Sequence, residues 1–181
     1  DTFVPTYLDL QKQDGKTWGL PIAASARGLF YNKGLFEKAG IKEPPKTWAE
    51  ALDAAKKVDA LGDDIYGIGI QGKDLDAEGY WFYTLWTHGG QVIGADGKSG
   101  FASPEAVAAT NTYVDFIKAN VTQPGVTGSS REDLQNLFVA GKLGMVMSGP
   151  WYNAHFADQG KDVQYGIAEI PIATTQATSG V

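Results

Sequence analysis

The 181 residues carry 43% apolar and 20% charged side chains, an ordinary globular balance with enough length for a real core. A formal net charge of −6 repels phosphate backbones and argues against a nucleic-acid partner. With no cysteine there can be no disulfide, thiolate metal site or cysteine nucleophile, and no apolar run approaches the roughly 18 residues a membrane helix needs.

In chain order, Trp18-Gly19-Leu20-Pro21-Ile22 reads as an extended entry and Gly28-Leu29-Phe30-Tyr31 as a strand. Asn32 to Gly40 is a short helix closed by a glycine just past its last turn. The clearest helix follows: Thr47 as N-cap, Glu50 completing a capping box, and Trp48, Leu52, Ala55 and Val58 at helical spacing. Ile65 to Ile70 alternates as a strand. Glu78 to His88 is aromatic nearly all round, a buried helix ended by Gly89-Gly90. Ala95 to Lys98 is a turn.

Ser103-Pro104-Glu105 starts a helix that runs through Val107, Val114 and Ile117 to about Asn120. Another begins near Ser130, with Asp133 completing a box, and stops at Gly141. Leu143 to Met147 is a short buried strand, Gly149-Pro150-Trp151 opens a further helix, and Tyr165 to Pro171 is a final strand. Strands alternate with helices, so the predicted class is α/β with a parallel-rich sheet flanked by helices. The first residue is not Met, and the last five are polar or small; both ends look cut.

The motifs Leu29 to Lys33, Leu35 to Ile41 and Pro45-Lys46-Thr47-Trp48 come after a Gly-Leu-Pro step. Phe138-Val139-Ala140-Gly141-Lys142 and Met145 to Trp151 come later. In that order the chain resembles the family 1 extracellular solute-binding proteins of sugar importers, of which maltose-binding protein is a member. The resemblance implies an incomplete lobe of periplasmic-binding-protein type II. Residues 1–26 would form the end of an amino-terminal lobe and a hinge strand, 27–170 the bulk of the carboxy-terminal lobe, and 171–181 a return toward the hinge. It also implies a receptor that closes on a mono- or oligosaccharide and hands it to ABC permease subunits. Periplasmic and lipid-anchored surface locations both stay open. With half the cleft missing, the piece would expose apolar surface and self-associate.

Trp151, at a helix start after Gly-Pro, is the leading ligand contact, because a flat indole covers the C–H face of a sugar ring; a core anchor is the alternative. The resemblance also points to Tyr80 or Trp81 at the head of the aromatic helix, with the register ambiguous by one. Ser25 and Arg27 lie on the hinge strand, and Glu78 is a hydroxyl acceptor or a plain helix-start acid. Ser25 stands where some maltose-type relatives have an acid, which weakens a maltodextrin assignment. His88 and His155 lack metal-ligand spacing and read as structural. Gly67 to Gly72 lacks the fingerprint of a phosphate loop. No cofactor is expected. Two rival functions stand: a receptor for a polyamine or glycerol phosphate, which needs several acids or bases in the cleft, and a carbohydrate hydrolase using Glu78 and a carboxylate such as Asp158.

Overall fold

The structure is a computed structural model that describes residues 3–23, 25–74, 77–159 and 162–175. A short helix α1 (Pro5–Asp9) leads into a two-stranded hairpin, β1 (Lys12–Gln13) and β2 (Lys16–Thr17). Its turn residues Asp14 and Gly15 both take positive φ, 53° and 73°, as a tight hairpin turn requires.

The main body is a four-stranded sheet in the order β4 (Tyr66–Gly69), β5 (Leu143–Ser148), β3 (Gly28–Asn32), β6 (Tyr165–Ala168). The α/β class with flanking helices is as expected. The sheet itself is mixed, which corrects the parallel-rich part of the expectation. Only β4–β5 is a parallel pair, and β3 runs antiparallel to both β5 and β6. Three strands point one way, but β3 enters between two of them in the opposite sense. Alternation along the chain reports crossovers and is silent on that insertion.

Opposite β3 faces feed two cores. Leu29 pairs with Met147 and Tyr31 with Met145 on the face covered by α3 (Trp48–Asp59) and α5 (Pro104–Lys118). Phe30 pairs with Val146 on the face covered by α6 (Arg131–Val139) and α7 (Trp151–Gln159). There Phe138 and Tyr152 are fully buried, each such side chain contributing about 1.5–3 kcal/mol. The remaining helices are α2 (Lys33–Lys38) and α4 (Ala77–Thr87).

Local chemistry sets the helix ends. Asn32, Thr47, Ser103 and Ser130 all cap their helices, with reciprocal boxes at Thr47–Glu50 and Ser130–Asp133. Gly40, Gly89 and Gly141 end helices with φ near 70–80°. Val107 and Ile117 face solvent, and α5 buries Ala106, Ala109 and Phe116.

The strand directions gather three loops at one place. The carboxyl ends of β4, β5 and β6 and the amino end of β3 share one edge of the sheet. Arg27 precedes β3, Trp151 follows β5, and Gln71 follows β4, so all three are delivered to that edge. Crevices outside strand carboxyl ends are where open α/β sheets hold ligands.

Candidate functional site

Trp151 is fixed by the residue two positions before it. A Cβ on Gly149 would sit 2.3 Å from the Cη2 and Cζ3 atoms of the indole, so the ring folds back over the glycine backbone. Pro150 then enters α7 with the Tyr152 amide donating to the Gly149 carbonyl at 3.0 Å.

Arg27 lies against this half-buried indole. Its guanidinium carbon lies 4.4 Å from the Trp151 ring centroid and 5.5 Å from that of Tyr80. Each is a cation–π contact, worth about 0.5–1 kcal/mol exposed and about 2 when desolvated. Nη1 of Arg27 donates to Ser25 Oγ. A second guanidinium, Arg131 at the first position of α6, approaches the same indole at 5.7 Å. Sequence alone did not single it out.

Tyr80 and Tyr152 are buried phenols, and Tyr113 is half-buried. Tyr80 acts on both Tyr113 and Tyr152, and burial first, then the neighbouring Tyr80, pushes the Tyr152 hydroxyl up out of its ordinary range. Burial likewise raises Tyr113, against a lowering hydrogen bond from Thr84. Between β5 and α7, Ser148 Oγ, Trp151 Nε1, Tyr152 OH and His155 Nε2 are buried without a hydrogen-bond partner among the described residues. Such atoms cost stability unless something pairs with them, and four within eight residues is a concentration.

The structure brings Ser25, Arg27, Tyr80 and Trp151 together and leaves the other two predicted residues outside. Trp81 turns to Phe82 and Phe101, with ring centroids 6.0 and 5.7 Å away, and packs over Leu85, Ala106 and Ala109. Of the two residues between which the register was ambiguous, Tyr80 is the one that meets Arg27. Glu78 is exposed on the first turn of α4, with no contact to the others among the described residues. The side chain of Asp158, the other half of the proposed hydrolase pair, lies outside the described residues.

His88 is satisfied structurally, its Nδ1 2.8 Å from the Thr84 carbonyl and its Nε2 3.2 Å from Thr112 Oγ1. The glycines at 67 and 72 serve packing: a Cβ there would lie 2.2 Å from the Ala55 and Val126 carbonyl oxygens respectively. Beside Arg27 an open groove of about 410 Å³ runs along Gly28, Gly149, Asn153, Ile167 and Glu169. Among the described residues no cluster of His, Cys, Asp and Glu could hold a metal.

A family model of bacterial extracellular solute-binding proteins matches residues 1–180. This chain belongs to that family. A binding protein of Brucella abortus (strain 2308) is 46% identical over 175 residues, covering 97% of this chain and 43% of the relative. The galactooligosaccharide-binding protein of Bacillus subtilis is 30% identical, covering 91% of this chain and 38% of its own length. An ABC transporter solute-binding protein from Thermotoga lettingae, solved with α-D-tagatose bound, matches with a TM-score of 0.85. Its identity is 32%, over 96% of this chain and 46% of that chain. The solute-binding chain thus spans less than half the length of these relatives, and it has the mixed α/β lobe of their fold. Family and relatives alike are binding proteins by description.

Proposed function

We propose that this solute-binding chain supplies one wall of a sugar site in an ABC importer receptor, with Trp151 as the stacking surface and Tyr80, Arg27 and Ser25 beside it. The observation that carries the reading is the Trp151 indole, held over Gly149 at the carboxyl edge of the sheet and flanked by Arg27 and Tyr80. A rigid aromatic plane takes the apolar face of a sugar ring, and fixed polar groups around it read hydroxyls. The sugar ligands of similar receptors support the same class of solute.

In this reading residues 1–26 end one lobe and form the hinge, 27–170 form most of the second lobe, and 171–181 return toward the hinge. Closure of the two lobes buries the solute and presents the closed form to permease subunits outside the cytoplasmic membrane. No bond is made or broken. Polyamines fit poorly, because the Arg27 guanidinium over the indole repels a polycation.

The test is a titration of the full-length receptor with a panel of mono- and oligosaccharides, following intrinsic tryptophan fluorescence. Saturable change with one sugar, lost in Trp151→Ala, is the expected result. A folded receptor that responds to no sugar, or a Trp151→Ala variant that binds as well as the parent, would overturn it.

A further inference from the structure

Arg27 presents a charge that the described residues leave unneutralised. It is half-buried, its hydrogen bond goes to the neutral Ser25 hydroxyl, and its remaining contacts are the faces of Trp151 and Tyr80. The ion pairs among the described residues are Lys12–Asp9, Lys98–Asp96 and Lys142–Asp64, none at this edge. Glu169 lines the groove beside Arg27, but it is exposed and forms no ion pair with it among the described residues. Arg131 brings a second guanidinium to the same indole.

We propose that the solute held here carries an anionic group, a carboxylate or a phosphate, and that Arg27 is the residue that reads it. This rests on the receptor reading above and narrows its substrate class. A guanidinium has five N–H donors in a planar fork; Ser25 takes one, and an oxyanion fits two others side by side. A pyranose acid can keep its C–H face toward Trp151 while its acidic group reaches the fork.

Calorimetry on the full-length receptor would compare each neutral sugar with its acids: glucose against glucuronate and glucose 6-phosphate, galactose against galacturonate. The expected result is an acid bound at least tenfold tighter than its neutral parent, with that ratio collapsing toward one in Arg27→Gln and only partly restored in Arg27→Lys. The uronate and phosphate arms tell which anion is read. Neutral sugars bound as tightly as their acids, or a ratio unchanged in a folded Arg27→Gln receptor, would overturn the proposal and leave the receptor reading intact. No binding by either class, with no response to any mono- or oligosaccharide of the fluorescence panel, would overturn both.

Discussion

Replacing Gln123 by alanine removes a side chain that acts as a stretch of missing strand. Its Oε1 accepts from the Ile70 amide at 3.1 Å and its Nε2 donates to the Ile70 carbonyl at 2.6 Å, with Gln123 only 3% exposed. Beside it, Val121 accepts from the amides of Gly67 and Ile68, and Thr122 bridges Ile68. Residues 121–123 therefore seal the outer edge of β4. Alanine at 123 leaves two buried backbone groups unpaired at roughly 1–3 kcal/mol each, so we expect a loss of about 3 kcal/mol. Urea unfolding of the full-length protein should show the midpoint fall, and hydrogen exchange should show the Ile70 amide lose protection. Glutamate at 123 gives a sharper test. One oxygen can still accept the Ile70 amide, but the other faces a carbonyl and fits only when protonated. The folded carboxyl is then raised above its ordinary value of about 4.3. Stability approaches that of the parent below about pH 4 and is lost as pH rises through the raised folded value. A Gln123→Ala variant within about 0.5 kcal/mol of the parent, or a Gln123→Glu variant indifferent to pH between about 4 and 7, would refute the strand-substitute reasoning.

Gly149→Ala puts a Cβ into the indole of Trp151 and should expel the ring. The expected signature is a red-shifted tryptophan emission and a sugar affinity as weak as that of Trp151→Ala; an unchanged spectrum would contradict it. The Asp133 carboxyl is held below the usual carboxylate range, first by the Ser130 amide and then by the Ser130 hydroxyl. Its stabilisation of α6 is present above the unfolded value of about 3.9 and fades as pH falls through the folded value, whereas Asp133→Asn should lack that acid-side slope in a pH series of melts. Trp48→Phe deletes the buried Nε1 donor to Thr87 Oγ1 at 2.9 Å and part of the edge contact with Phe116, at about 1–3 kcal/mol. Denaturant midpoints equal to those of the parent would show that this bond adds nothing.

Much of this architecture is written in short-range chemistry. A Thr or Ser three residues before Glu50 or Asp133 announces its own helix, because the two groups satisfy each other's backbone donors. Trp151 was legible for a similar reason: Gly-Pro-Trp leaves few conformations. The Asp14-Gly15 hairpin is absent from the sequence-based expectations, because its strands are only two residues long and fully exposed, so no apolar alternation marks them. Arg131 passed unnoticed although it breaks a local rule, a cation at the positive end of a helix, and such breaches often mark sites where geometry serves something other than stability. The antiparallel course of β3, and the choice of Ala106 and Ala109 over Val107 as the buried face of α5, depend on neighbours distant in sequence. No local pattern carries that information.

The meeting of Arg27 with Trp151 across the third and fifth strands has a temporal side. These residues enter the growing chain far apart, and nothing near either one in sequence can hold it in place alone. The cation–ring contact can form only after β3 and β5 are paired, which requires the long stretch between them to have been made and its loop closed. A half-made or half-unfolded chain therefore offers a passing solute no partial site to grip. If the proposed site holds a solute, that solute binds the finished fold alone, and in doing so it selects and stabilises that fold by mass action.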